Sequence, residues 1–122
     1  MTPTQIISYV ADTARSAELY GHLFGLEPSQ QDRRSACFQL PGGINVTLLN
    51  RRLVEPRATL PGGNELCFEV ASEALVRRRR NDWAKLGLHI LQEPEHLPIG
   101  YTFTASDPDG HRLRVYCPRH DG

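Results

Sequence analysis

Hydrophobic and polar residues alternate with two different periods along this chain, and the order of the periods repeats. The segment from Gln5 to Val10 is rich in β-branched and aromatic residues, which predicts a strand. From Thr13 to Phe24 apolar residues recur at intervals of three and four, as in an amphipathic helix. Asp12 is suited to cap the N-terminus of this helix and Gly25 to end it. The chain is therefore predicted to start with a strand followed by a helix.

Two further strand-like runs follow the helix, at Ser35 to Leu40 and Ile44 to Asn50, separated by a proline and glycine turn signal at 41–43. A short strand after Pro28 completes a βαβββ module. Residues 51–63 are rich in proline and glycine and have no sustained periodicity. We interpret them as a linker.

The same order of elements restarts after the linker. The segment from Glu65 to Val70 alternates polar and apolar residues like a half-buried strand. Ser72 is a helix cap, and the helix is predicted to run to about Leu86 before Gly87 ends it. The remaining strands are predicted at Leu88–Leu91, Tyr101–Ala105 and Arg112–Cys117.

The two strand-helix units are in register, because Gln5 stands seven residues before Asp12 and Glu65 stands seven residues before Ser72. Two copies of one supersecondary unit can bury each other's sheet faces, whereas one copy is too small to do so alone. We therefore predict an α+β fold in a single domain over residues 1–122. Module 1 spans about 4–50, the linker 51–63 and module 2 about 64–118.

Composition narrows the range of partners. The 122 residues include 14 basic and 14 acidic ones, so no net positive field favours nucleic acid or an anionic membrane. The start of the chain does not resemble a signal peptide, and no apolar run approaches the ~20 residues that span a bilayer. We expect a cytoplasmic protein in which the three cysteines, an odd number, are reduced.

The arginine run and the histidines could each form a functional site, but the sequence favours an ordinary structural role for most of them. The run Arg77 to Arg80 falls on a predicted helix, which distributes the four charges around its axis. None of the histidines has a partner at a helical metal-ligand spacing, and only His96, before the third strand of module 2, is kept as a candidate acid or base at a pocket rim. The histidines are His22, His89, His96, His111 and His120.

Four segments together resemble one known superfamily over nearly the whole chain, from Gln5 to Pro118. They are Tyr9-Val10-Ala11-Asp12, Leu23-Phe24-Gly25-Leu26, Glu65-Leu66-Cys67-Phe68-Glu69-Val70 and Asp107-Pro108-Asp109-Gly110-His111-Arg112-Leu113. Their order and spacing are similar to those of the vicinal oxygen chelate superfamily, the glyoxalase, bleomycin resistance and dihydroxybiphenyl dioxygenase fold. The resemblance implies that two βαβββ modules form a cup-shaped, incomplete barrel, which binds a small molecule, often beside a divalent metal.

The resemblance also implies where a metal would bind, on the first and last strand of each module. Those positions carry Gln5 and Thr47 in module 1, and Glu65 and Arg114 in module 2. A guanidinium stays protonated and offers no lone pair for coordination, and threonine is a poor ligand. We therefore expect no metal cofactor, and an ion pair between Glu65 and Arg114 instead. Glu65 is also the candidate catalytic residue if the protein is an enzyme.

Strand alternation extends these positions to a predicted ligand-binding set, because residues two apart share a face. Aromatic, aliphatic and a few polar groups together suit a small, partly apolar organic molecule. Phe103 is added to the set as a stacking contact. The predicted set is Gln5, Ile7, Tyr9, Thr47, Leu49, Glu65, Cys67, Phe103, Arg114 and Tyr116.

The function implied by the resemblance is metal-independent binding or sequestration of a small organic molecule such as an antibiotic, by a homodimer, with no nucleic-acid or membrane partner. A metal-dependent lyase or dioxygenase, similar to lactoylglutathione lyase, is an alternative in which Gln5 and Glu65 bind the metal and water or His111 completes the shell. A metal-free isomerase or epimerase is another, with Glu65 as the base and Arg114 holding the developing enolate. One fold hosts many chemistries, so the sequence leaves this choice open.

Overall fold

The computed structural model describes residues 1–119 and divides the chain into two compact units, Met1–Leu60 (unit 1) and Pro61–Gly122 (unit 2). The boundary lies inside the proline- and glycine-rich segment 51–63. Within the described residues each unit contains one helix and one four-stranded sheet. The predicted α+β class and the two βαβββ modules are confirmed.

Unit 1 consists of β1 (Gln5–Val10), α1 (Thr13–Phe24), β2 (Gln30–Gln31), β3 (Ser35–Gln39) and β4 (Asn45–Asn50). The order of its strands in the sheet is β1-β4-β3-β2. β1 runs parallel to β4, and the other pairs are antiparallel. The first strand therefore lies beside the last strand of its own unit.

Unit 2 repeats this arrangement with β5 (Glu65–Glu69), α2 (Glu73–Lys85), β6 (His89–Leu97), β7 (Gly100–Ser106) and β8 (Arg112–Cys117). Its strand order is β5-β8-β7-β6, with β5 parallel to β8. Among residues 1–119 no helix is long and apolar enough to cross a membrane.

The helix ends follow from the residues predicted to form them. The Asp12 side chain accepts a hydrogen bond from the Arg15 backbone N–H at 3.1 Å, and Ser72 Oγ accepts one from Leu75 at 3.2 Å. Each bond satisfies a backbone donor that the first turn of a helix leaves without a partner. After α1, Gly25 adopts the left-handed conformation (φ 67°) that favours glycine.

The helix of each unit packs on one face of its sheet. In unit 1 the alternate strand residues Ala36, Phe38, Val46 and Leu48 are buried, and Phe24 meets Phe38 edge to face with ring centroids 5.3 Å apart. In unit 2, Trp83 of α2 contacts Phe68 at 5.5 Å and Phe103 at 5.2 Å in the same geometry. Because side chains alternate along a strand, the residues between these buried ones lie on the opposite face of each sheet.

The second strand of unit 2 is much longer than predicted. β6 was expected to end at Leu91 but continues to Leu97, through Pro94. Proline is tolerated there because β6 lies at the sheet edge, where its missing N–H breaks no ladder bond. Irregular pairing between Ile90 and Gln92, and between Gln92 and Glu95, interrupts the alternation on which a sequence-based assignment depends.

The turn between β7 and β8 fixes the register of the strands that carry the site. The Asp107 carboxylate accepts hydrogen bonds from the backbone N–H groups of Asp109 at 3.0 Å and His111 at 2.8 Å. Beyond this turn Thr104 pairs with Arg114, and Thr102 with Tyr116. Residues that pair directly share a face, so both threonines lie on the side of Arg114.

Candidate ligand-binding site

In both units the sheet face opposite the helix carries polar and aromatic side chains, and we call it the helix-free face of that unit. On unit 1 this face carries Gln5, Ile7, Tyr9, Cys37, Thr47 and Leu49. On unit 2 it carries Glu65, Cys67, Glu69, Thr102, Thr104, Arg112, Arg114 and Tyr116. Nine of the predicted ligand-binding residues thus lie on these two faces.

The helix-free face of unit 1 is uncharged. None of its strands contains a charged residue. Thr47 pairs in register with Ile7, and its Oγ1 donates a hydrogen bond to Gln5 Oε1 at 2.5 Å. Ile7 is 46% exposed. This face offers an apolar surface next to one neutral polar pair.

The helix-free face of unit 2 is centred on an ion pair. Arg114 Nε donates to Glu65 Oε1 at 2.6 Å, and the two side chains are 14% and 26% exposed. Arg114 Nη1 also donates to Thr102 Oγ1 at 3.2 Å, and Thr102 Oγ1 donates to the Val115 carbonyl at 2.8 Å. Thr102 is fully buried. The guanidinium is therefore held on two sides.

Cys67 lies beside this ion pair, with its Sγ 3.8 Å from Glu65 Oε1. Partial burial and the negative charge of Glu65 raise the pKa of the Cys67 thiol, while the Arg114 charge acts in the opposite direction. A raised pKa keeps the thiol protonated at neutral pH, and the thiolate is the reactive form. Cys67 is therefore a polar neighbour of the pair and a poor nucleophile.

Tyr116 completes this face. Its hydroxyl donates to Glu69 Oε1 at 3.2 Å. This hydrogen bond is the main cause that raises the pKa of Tyr116, followed by partial desolvation and the charge of Glu69. The phenol remains protonated at neutral pH, with its ring on the same face as Arg114.

These residues do not fit a divalent metal ion. Glu65 accepts a hydrogen bond from a guanidinium that cannot coordinate, and Gln5 is paired with a threonine hydroxyl. Among residues 1–119 no group of three or more His, Cys, Asp or Glu side chains is arranged to hold a metal. Hard cations bind several oxygen ligands and transition metals bind clustered nitrogen, sulfur or carboxylate groups, and neither set is present in the part of each unit that the structure describes.

Phe103 requires a correction. The structure places it on the helix-side face of unit 2, fully buried against Trp83. Its neighbours Thr102 and Thr104 point to the helix-free face, and Phe103 must therefore point the other way. The prediction that Phe103 stacks on a ligand is wrong, because its ring is part of the core.

Several residues of the helix-free faces are absent from the predicted set, and two of them lie directly beside predicted members. Thr102 supports Arg114, and Cys37 pairs with Thr47 on unit 1. The signal for Thr102 is the turn after β7, because counting equal steps back from each end of the turn places Thr102 opposite Tyr116. Cys37 resembles an ordinary apolar strand residue and gave no such signal.

His96, the candidate acid or base, lies on β6 against α2. Its ring centroid is 4.7 Å from that of Tyr101, and its Nε2 is 3.8 Å from Glu73 Oε1 in the first turn of α2. This position is on the helix side of the sheet, and the structure does not bring His96 to the helix-free face. His120 lies outside the described residues.

The arginine run of α2 is distributed around the helix, as its periodicity predicts. Arg77 lies over the Tyr101 ring at 5.7 Å, Arg79 bonds Asp82 within α2, and Arg80 binds the carboxylate of Glu93. Three of the four arginines thus contact three different partners. They do not form one basic patch.

A sequence profile of the Glyoxalase/Bleomycin resistance protein/Dioxygenase superfamily matches residues 3–115. The chain belongs to this superfamily. The resemblance found in the sequence is thereby confirmed. Superfamily membership agrees with the two βαβββ units. It does not decide between binding and catalysis, because one fold hosts many chemistries.

Three known proteins are similar to this chain over most of its length. The phenazine antibiotic resistance protein EhpR of Enterobacter agglomerans is 31% identical over 121 residues, which cover 97% of this chain and 92% of that protein. Protein ATC0852 of Agrobacterium tumefaciens, solved by NMR, is 38% identical with a TM-score of 0.90 over 98% of both chains. A glyoxalase-related enzyme from Fulvimarina pelagi is 22% identical, with a TM-score of 0.86 over 96% of this chain and 88% of that one, and shows the shared fold alone.

Proposed function

We propose that this superfamily member binds and sequesters a small, flat organic molecule without a metal ion, and so protects the cell that makes it. The observation that best supports this proposal is the ion pair between Glu65 and Arg114 at 2.6 Å, which places a fixed cation on the helix-free face of unit 2. The relative EhpR, named as a phenazine antibiotic resistance protein, indicates an antibiotic of the phenazine class as the first ligand to test.

The helix-free face of unit 1 supports an apolar, aromatic ligand. Its strands carry no charged residue. Ile7 and Tyr9 lie two residues apart on β1, and Leu49 of β4 pairs in register with Tyr9 on the same side of the sheet. Pockets for small molecules combine such apolar surface with a few polar groups that set orientation. On this face the polar groups are the neutral pair of Gln5 and Thr47.

Sequestration can be tested in cells. We expect that expression of the protein in a phenazine-sensitive bacterium raises the concentration of phenazine antibiotic needed to stop growth. Mass spectrometry of the recovered antibiotic should show an unchanged molecular mass. A chemically altered product would contradict sequestration and favour an enzyme, and absence of protection at confirmed expression would contradict the proposal for phenazines.

The chain offers a matched control for this test. Ile7 and Ile44 are both exposed isoleucines of unit 1, at 46% and 38%, but only Ile7 lies on the helix-free face within a strand. Ile7→Asp adds a charge to the apolar face and should abolish protection. Ile44→Asp, next to the turn between β3 and β4, should retain it.

The expected assembly and location are proposals, and of the two only the assembly rests on the resemblance. We propose that the protein acts as a homodimer in the cytoplasm. Sedimentation velocity of the purified protein at several concentrations tests the dimer, and a monomer at all concentrations would contradict it.

A further inference from the structure

Resting on the proposed function, we propose that the ligand of this protein carries a carboxylate, and that Arg114 binds it through the N–H groups that Glu65 and Thr102 leave unused. Thr102 acts as the positioning residue that holds the guanidinium ready.

The orientation of the Arg114 guanidinium is fixed by a chain of hydrogen bonds that ends on the backbone. A threonine hydroxyl has a single proton, and Thr102 donates it to the Val115 carbonyl at 2.8 Å. Its oxygen is then left to accept from Arg114 Nη1 at 3.2 Å. Glu65 holds the Nε side at 2.6 Å. Two contacts at different nitrogens fix the plane of the guanidinium.

Part of the guanidinium is still available to a ligand. Among residues 1–119 only Nε and Nη1 of Arg114 have a protein partner, and Nη2 has none. Within the same residues no buried side-chain nitrogen or oxygen lacks a hydrogen-bond partner. Nη2 must therefore reach solvent, although the side chain as a whole is only 14% exposed.

A carboxylate is the group that matches this opening. A guanidinium is planar and presents parallel N–H groups that bind both oxygens of a carboxylate, in charge-assisted bonds about twice as strong as neutral ones. Arg112 is exposed on the same face, two residues along β8, and adds a second positive charge. Arg112 pairs in register with Glu65, whereas Glu69 lies four residues further along β5 and accepts the hydrogen bond of Tyr116. Within residues 1–119, Glu65 is thus the single anionic side chain bound to this preformed, partly desolvated cation.

Three compounds with one ring system test this inference by calorimetry on chelator-treated protein. They are phenazine-1-carboxylate, phenazine-1-carboxamide and unsubstituted phenazine. We expect the carboxylate to bind at least about ten-fold more tightly than the other two, which corresponds to ~1.4 kcal/mol. Equal affinity for all three would overturn the carboxylate inference while supporting the proposed function. Failure of all three to bind would overturn the proposed function for phenazines, and the inference with it.

Two threonines on β7 provide a matched pair of variants. Thr102 and Thr104 are both buried on the helix-free face, but Thr104 Oγ1 donates to Gln92 and does not contact Arg114. Thr102→Val should reduce the preference for carboxylate over phenazine several-fold, whereas Thr104→Val should leave this ratio unchanged. An equal change in both would assign the effect to the sheet in general and overturn the positioning role.

Arg114→Lys keeps the positive charge but removes the paired N–H groups. We expect it to remove most of the preference for the carboxylate over unsubstituted phenazine. Circular dichroism and a thermal melt show that the variant is folded. A full preference in Arg114→Lys would overturn the inference.

Discussion

Arg114 and Glu65 meet across adjacent parallel strands although they are not paired in register: Glu65 pairs with Arg112, and Arg114 pairs with Cys67. The two side chains therefore reach diagonally toward each other. Unit 1 uses the same offset, since Gln5 pairs with Asn45 but bonds Thr47. The same position in the repeat thus holds a neutral hydrogen bond in unit 1 and an ion pair in unit 2.

The strength of the ion pair can be measured by a double-mutant cycle with Glu65→Gln and Arg114→Met. Arg114→Met leaves the partly buried Glu65 carboxylate without its donor and should lower the free energy of unfolding by about 1–3 kcal/mol. Glu65→Gln still offers an oxygen to Nε and should cost less. Urea unfolding at neutral pH gives the coupling energy, expected at about 1 kcal/mol because both side chains retain some solvent contact. Strict additivity would mean that the pair contributes nothing to stability.

The Cys67 thiol reports on the charges around it. Burial and Glu65 raise its pKa, while Arg114 lowers it, and only the thiolate is alkylated. Glu65→Gln should therefore speed alkylation of Cys67 by iodoacetamide at mildly alkaline pH, and Arg114→Met should slow it. Peptide mass spectrometry separates this site from the buried Cys117, which serves as the internal control. Faster alkylation in Arg114→Met would contradict this account of the charges.

Tyr116 should titrate above the ordinary tyrosine value of about 10, because its hydroxyl donates to Glu69. The hydrogen bond favours the protonated phenol in the folded state. Its contribution to stability is fully present below the pKa of the unfolded state, and is lost as pH rises through the higher pKa of the folded state. NMR titration of the Tyr116 ring measures this pKa. Glu69→Gln removes the charge and should lower it, and an unchanged pKa in that variant would contradict the assignment.

The corrected position of Phe103 separates stability from binding. Phe103→Leu leaves a gap beside Trp83 and should lower the free energy of unfolding by about 1–2 kcal/mol, with ligand affinity unchanged under conditions where the variant is folded. Tyr116→Phe, on the helix-free face, should do the reverse: little change in stability and a measurable change in affinity. Thermal melts and calorimetry on the same samples distinguish the two residues. A large loss of affinity in folded Phe103→Leu would restore Phe103 to the site.

The bounds of a helix or strand could be predicted from the sequence where a single periodicity runs through the whole element. The predicted bounds of β1, α1 and β8 agree with the structure, because caps and turns punctuate clean patterns there. The prediction of β6 stopped at Leu91 because irregular pairing and Pro94 interrupt the alternation beyond it. Residue propensities do not show that an edge strand accommodates both irregular pairing and a proline.

Residues of the candidate site could be predicted where the alternation of side chains along a strand assigns them to one face. Alternation from Gln5, Glu65 and Arg114 gave the members of β1, β5 and β8 that share a face. Phe103 was added for its aromatic ring instead of its parity, and this is where the prediction was wrong. The bond between Thr102 and Arg114 depends on side-chain reach across two strands, which the order of residues does not record.

Calorimetric titration of chelator-treated protein with phenazine-1-carboxylate, repeated with added zinc, nickel, manganese or iron(II), tests the central claim most directly. The account predicts stoichiometric binding without metal, the same affinity with each metal present, and no binding of the metals alone. Tight, stoichiometric binding of a metal that Glu65→Ala abolishes, or ligand binding that requires the metal, would contradict it and identify this superfamily member as a metalloenzyme.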